Sequence, residues 1–276
     1  MHRFAPLCLV LLLACGPSLH VGYARAGYVV PVARTSEELR SRINYDGVVD
    51  GLYGFRFGPD RKLYACSYRT GTILRYRPSR ARFETVVARD LPGPVDLAFL
   101  PDGSMIVACT GTNEFPLAPA LAGSGALVRV SEKGVVTPYL SLQDLGVPMS
   151  LAVGPDGRLY VGARNTTQVF VVQNDKLEPF VDAGRELPRG AWQIAIAKDG
   201  SLWGSSPFDR RVARLTPTPF VIEDPEMGRP GGIVFGRKNT LFVTSLNRGE
   251  IREYDANDGT LLRVVQTELA MPWALR

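Results

Sequence analysis

The chain is almost without histidine: His2 and His20 are the whole complement of its 276 residues, and both precede the region that reads as a folded domain. No imidazole is therefore available there for acid–base work or for binding a metal. Cysteine is also scarce. Of four, Cys8 and Cys15 lie in the N-terminal leader, and only Cys66 and Cys109 remain for the domain. Long apolar runs are missing too: Phe4–Ala14 is the most sustained and is too short to span a bilayer well. No charge excess points to a polyanion either. The net charge is +5, and removal of Met1–Ala26 takes away Arg3 and Arg25, leaving 30 basic against 27 acidic residues. That balance is too mild for nucleic acid. The one tight basic cluster, RPSRAR at 77–82, reads as a solvated loop.

What the chain has is turns and a leader. Gly (28) and Pro (21) are abundant, which favours many short strands. Residues 1–26 read as an export signal, with Arg3 as the positive n-region and Phe4–Ala14 as the apolar core. Two cleavage sites compete. Leu12-Leu13-Ala14-Cys15 resembles a bacterial lipobox, which would lipidate Cys15, and Ala24-Arg25-Ala26 is an A-x-A site. Both export the protein to the periplasm, the cell envelope or the medium, and only a lipid anchor would tie it to a membrane.

Five segments share one pattern: GLYGFRFGPDRKLYACSYRTGTILRY, GPVDLAFLPDGSMIVACTGTN, VPMSLAVGPDGRLYVGARNTTQVFVV, GAWQIAIAKDGSLWGSSPFDRRVARL and PGGIVFGRKNTLFVTSLNRGEIREY. Asp60, Asp102, Asp156, Asp199 and Lys238 or Asn239 mark the phase, at spacings of about forty. The step from Asp102 to Asp156 is longer and contains an insertion at roughly 113–124. Each unit reads as four strands. The first is apolar, as a strand buried on both faces must be. A P-D-G turn follows, in which Asp bonds its own backbone and Gly supplies positive φ. The later strands are less apolar, and the fourth is outermost.

Tandem four-stranded units of about forty residues predict an all-β fold, a β-propeller, over residues 44–276. The expectation is a six-bladed design with five full blades and a partial sixth begun by Met271–Arg276, the chain being a fragment; a five-bladed ring is the alternative. Residues 27–43 are expected to hold a strand, Tyr28–Ala33, that could complete the last blade. A short helix should follow it, from the capping-box spacing of Thr35–Glu38 with Leu39 and Ile43 on one face. Cys66 and Cys109 look equivalent in adjacent blades. Sheets stack about 10 Å apart, beyond the roughly 7 Å limit of disulfide Cα separation, so two buried thiols are expected.

The apolar strand, the P-D-G turn, a second strand such as LYV and the Asn/Gly loop resemble NHL repeats and the SMP-30/gluconolactonase-like six-bladed propellers over residues 50–276. Streptogramin-lyase-like propellers are a second resemblance. The first implies a divalent metal at the channel mouth, and the second a metal with a histidine base. Aligned on the turns, the metal-holding positions fall at Tyr53, Val95, Met149, Trp192, Gly231 and Trp273. Apart from Tyr53, a poor ligand, none offers a side-chain oxygen to a hard cation. The resemblance thus implies the fold without the metal site, and no cofactor is expected; Ca or Zn belongs to the enzymatic alternative.

Strand alternation places the starts of the first strands, the second-to-third-strand loops and the insertion on one face. Tyr53, Met149, Trp192 and Trp273 are expected to ring an apolar mouth, with Asp96, Ser150 and Gln193 beside it. Asn113, Glu114 and Phe115 would fold over it, and Asn165 and Asn247 lie in nearby loops. These residues either form a binding cleft or plug the inner ends of the blades, and the asparagines either bind or tolerate left-handed turns. Three functions stay open: an exported, monomeric, non-catalytic propeller binding a small molecule or protein, a lactone hydrolase or lyase with a displaced site, or a structural scaffold at the cell surface.

Overall fold

The structure is a computed structural model that describes residues 20–23, 28–31, 52–77, 82–111, 125–142, 145–266 and 272–275. Two short strands, β1 (His20–Tyr23) and β2 (Tyr28–Pro31), precede five antiparallel four-stranded sheets. Blade one holds β3 (Leu52–Phe57), β4 (Leu63–Ser67), β5 (Thr72–Arg77) and β6 (Arg82–Ala88). Blade two holds β7 (Pro94–Phe99), β8 (Met105–Cys109), β9 (Ala126–Val130) and β10 (Val136–Ser141). Blade three holds β11 (Val147–Val153), β12 (Leu159–Arg164), β13 (Gln168–Gln173) and β14 (Lys176–Asp182). Blade four holds β15 (Gln193–Ile196), β16 (Leu202–Ser206), β17 (Arg211–Arg214) and β18 (Phe220–Val221). Blade five holds β19 (Pro230–Phe235), β20 (Thr240–Ser245), β21 (Glu250–Asp255) and β22 (Leu261–Gln266). In each blade sequence order is spatial order, and the first strands of successive blades pack on one another. This is the all-β propeller of four-stranded blades that the repeat predicts.

The C-terminal strand β23 (Pro272–Leu275) joins the two N-terminal strands in a three-stranded sheet of order β2-β1-β23. It packs against β19 of blade five and β3 of blade one. Tyr28–Pro31 is a strand where one was expected, but His20–Tyr23 lies between it and β23, with Val21 opposite Leu275. His20–Tyr23 falls inside the stretch read as a leader. The expected helix at 35–43, Cys15 and Asn113–Phe115 lie outside the described residues.

The turn chemistry is as the repeat predicts. Asp102, Asp156 and Asp199 each accept the backbone N–H two residues on, at 2.8, 3.0 and 2.9 Å. The following Gly103, Gly157 and Gly200 have φ of 84, 77 and 86°. Blade one uses Arg61 at φ 60° instead, a strained choice for a side chain with a Cβ. Burial falls outward from the axis. In blade three, β12 is buried throughout, whereas β14 is mostly exposed. Apolar cores therefore lie between blades rather than within them. Trp203, wholly buried between blades four and five, meets Phe220 edge-on at 5.1 Å and Phe235 at 6.0 Å.

Cys66 and Cys109 are both free, as expected, but their placement differs from the sequence reading. Cys66 is fourth in β4 and Cys109 fifth in β8, so they are one residue out of phase. Strand alternation consequently turns both into the single core between blades one and two. Burial pushes the Cys109 thiol up to about 12, and burial likewise pushes Cys66 well above its usual range. In a Cys8→Ser/Cys15→Ser background, the native protein at neutral pH should leave a disulfide-exchange reagent unreacted, and the denatured, unreduced protein should titrate two thiols. Zero thiols after denaturation would show a bridge.

Candidate functional site

The antiparallel order puts the starts of the first strands, the second-to-third-strand loops and the interblade connections at one end of the propeller. Four first strands slip register there: between Leu52 and Phe55, Pro94 and Asp96, Pro148 and Ser150, and Pro230 and Ile233. Such bulges re-aim the residues they contain. Tyr53, Val95, Met149 and Gly231 all lie in them, and Trp192 stands immediately before β15, its N–H bonded to the Ser205 carbonyl at 2.9 Å. The bulge gathers the positions that the sequence placed at the mouth, and buries them. Tyr53, Val95, Met149 and Trp192 are all buried side chains. Tyr53 packs on Tyr68 with ring centroids 5.2 Å apart. The strand carrying Trp273 lies at the same inner position, though nothing is described of its side chain.

Asp96 and Ser150 bind the protein to itself. The Asp96 carboxylate, 1 % exposed, accepts Arg56 Nη2 at 2.9 Å, the N–H of Leu97 at 2.9 Å, the N–H of Leu151 at 2.9 Å and the Ser150 hydroxyl at 3.2 Å. Arg56 also donates to the Leu151 carbonyl. Ser150 Oγ accepts the Ile194 N–H at 3.2 Å, and Ser205 Oγ donates to the Gly231 carbonyl at 2.6 Å. These bonds cross from blade one to blade two to blade three, from three to four, and from four to five. Burial raises the Asp96 carboxyl pKa, opposed by Arg56, the two N–H groups and Ser150. Gln193 is buried beside them, opposite Ser205. Gly54 permits the approach of blade one: a Cβ there would meet Asp96 Oδ1 at 2.5 Å.

Of the residues singled out in sequence, Trp192 and Asn165 line a recess that opens between blades three and four on this same face. It measures about 380 Å³. Arg164, the last residue of β12, forms its inner wall; Phe208, from the loop between β16 and β17, and Arg189, from the blade connection, form its rim. Arg164 is 7 % exposed, with its guanidinium 5.7 Å from the Trp192 ring. Burial lowers its pKa, opposed by the nearby phenols of Tyr68 and Tyr53. Trp192 Nε1 donates to the Arg189 carbonyl at 3.3 Å, and its ring lies 4.8 Å from that of Phe208. The connection reaches this close because residue 190 is glycine at φ 83°; a Cβ would lie 2.2 Å from the Thr166 carbonyl.

Asn165 has φ 65°, the left-handed turn expected of it. Asn247 does not adopt such a φ: its Oδ1 accepts the Arg229 N–H at 2.6 Å and secures the connection into blade five. Arg164, Arg189 and Phe208 were not singled out in sequence. The available signal was the residue ending or following each second strand: Tyr68, Thr110, Arg164, Pro207 and Leu246, of which Arg164 alone is charged. Among the described residues, no group of three or more His, Cys, Asp or Glu could hold a metal ion.

No protein-family model matches the chain, and no curated protein matches it. Solved structures do. A catalytically inactive virginiamycin B lyase from Staphylococcus aureus, with quinupristin, aligns at TM-score 0.62 and 19% identity over 84% of this chain and 76% of that one. A gluconolactonase from Xanthomonas campestris aligns at 0.56 and 20% over 71% of each. A chain of a nidogen/laminin complex aligns at 0.71 and 13%, covering 93% of this chain and 97% of that one. The structural neighbours are thus the propellers that the repeat resembles, and at these identities what they share with this chain is the fold. At the aligned positions Val95, Met149, Trp192 and Gly231 offer no side-chain oxygen to a hard cation, and Tyr53 offers only a buried phenol.

If Asp96 holds the blades together, Asp96→Ala strands a buried guanidinium and should destabilise the protein by about 3–5 kcal/mol. The double replacement Arg56→Met/Asp96→Leu should recover only the part due to the stranded guanidinium in chemical denaturation, because the N–H groups of Leu97 and Leu151 still lose their acceptor. A stable Asp96→Ala protein would return the carboxylate to the list of ligand-binding groups.

Proposed function

We propose that this chain is an exported, monomeric, non-catalytic β-propeller that binds a small molecule or protein partner through the face bearing Trp192. The recess between blades three and four carries this reading. It pairs a buried arginine with an exposed aromatic ring in a volume suited to a small ligand. Val95, Met149, Trp192 and Gly231, without side-chain oxygens, and an Asp96 carboxylate already occupied by Arg56, Ser150 and two N–H groups, support a binding role over metal-assisted chemistry at the axis. A lactone hydrolase or lyase with its site displaced from the axis is the second reading, favoured by the virginiamycin B lyase and gluconolactonase neighbours.

Within this proposal the β2-β1-β23 sheet is a sixth blade, contributed by both ends of the chain: β23 occupies the gap between the first strands of blades five and one. That arrangement also bears on export. Cleavage before Cys15 leaves β1 in the mature protein, and cleavage after Ala26 removes it, so the lipobox is the reading that keeps the sheet whole.

A thermal-shift screen of small molecules tests the binding role. A ligand at a hundredfold excess over its Kd should stabilise the protein by about 2.7 kcal/mol, and Trp192→Ala should abolish the shift while leaving the circular dichroism unchanged. Stoichiometric, tightly held Ca²⁺ or Zn²⁺ in the purified protein would turn the assignment to the enzyme. Mass spectrometry of the exported protein should find Cys15, acylated, as the first residue; a chain beginning at Gly27 would refute the lipid anchor.

A further inference from the structure

We propose that the recess between blades three and four selects an aryl acid: a ligand with a planar apolar ring bearing a carboxylate, the acid directed at Arg164 and Arg189 and the ring laid on Phe208 and Trp192. This deepens the binding role proposed above and rests on it.

Three observations carry it. The first is the charge of the wall. Among the described residues lining the recess are two guanidiniums, the hydroxyls of Thr166 and Thr167 and the Asn165 amide, and no carboxylate. Asp209, beside the rim, is turned to the connection: it accepts the Arg189 N–H at 2.9 Å and stands 4.0 Å from Arg189 Nε. Arg189 itself remains 67 % exposed, so its fork can still reach into the opening.

The second is the ring at the rim. Phe208 is 47 % exposed, although it sits against Trp192. Its free face forms an apolar shelf beside a cationic wall, an arrangement suited to a flat ring that ends in an anion.

The third is preorganisation. Arg164 is buried with its guanidinium over the Trp192 ring, and Trp192 is tied by its Nε1 bond to the Arg189 carbonyl. A guanidinium already ordered and largely dehydrated loses little entropy on meeting a carboxylate, and its bond is stronger than one made in water.

The test uses 2-naphthoate and its neutral isostere 2-naphthamide, titrated calorimetrically into the full chain. The acid should bind at least about tenfold more tightly than the amide, and its advantage should shrink as ionic strength rises. Arg164→Gln should erase the preference. Because Arg164 is buried, Arg189→Gln on the exposed rim provides a second variant that keeps the core intact, and it should reduce the preference severalfold. Equal affinity for acid and amide would overturn the acid selectivity while leaving the face a ligand-binding one. Binding of neither would overturn the aryl-acid site, and if the small-molecule screen is also empty, the binding role falls with it. A preference that persists in both arginine variants would place the acid elsewhere and overturn the assignment.

Discussion

A buried ion pair at the inner edge of the blades sets the terms for the rest of the molecule. Asp96 leaves water entirely, which is tolerable because Arg56, two backbone N–H groups and the Ser150 hydroxyl converge on it. Those partners belong to three different blades. A propeller has little covalent continuity around its ring, since each blade touches its neighbours through faces that apolar residues alone would leave free to slide. A carboxylate that must keep all its partners admits one relative position of blades one, two and three. Ser150 and Ser205 carry the same logic, with neutral groups, to blades four and five.

The same inner edge explains where an accessible site can lie. The bulges turn Tyr53, Val95 and Met149 into the protein. An accessible recess lies off the axis, at the interface where the connection between blades carries Arg189 and Trp192 and the neighbouring strand ends in Arg164. Gly190 makes that interface possible, because any side chain at φ 83° would collide with the Thr166 carbonyl. The nidogen, lyase and gluconolactonase structures show how far one scaffold can be retained while identity stays at or below 20%.

Much of the fold was legible. Asp102, Asp156 and Asp199 with their glycines announced the turns, and the apolar first strands announced burial on both faces. The candidate site was legible only in part. Trp192 could be placed on the right face because alternation of strand direction is a counting argument. Asp96 could be placed at the inner edge for the same reason, but counting does not distinguish a carboxylate facing a ligand from one facing Arg56, forty residues away. Asn247 shows the same limit: an asparagine in a loop reads as a left-handed turn until the Arg229 N–H is found on its amide.

Periodicity and turn chemistry, which are local, determined the strands, their order within a blade and the repetition of the unit; the hydrogen bonds that define them are made within a few tens of residues. Tertiary structure alone decided the phase of Cys66 against Cys109, the partners of Asp96, the strand that pairs with Pro272–Leu275 and the gathering of Arg164, Arg189 and Phe208 around one recess. Each depends on a contact between blades or between distant ends of the chain, and register between separate sheets is set by packing and by buried polar groups, neither of which leaves a period in the sequence.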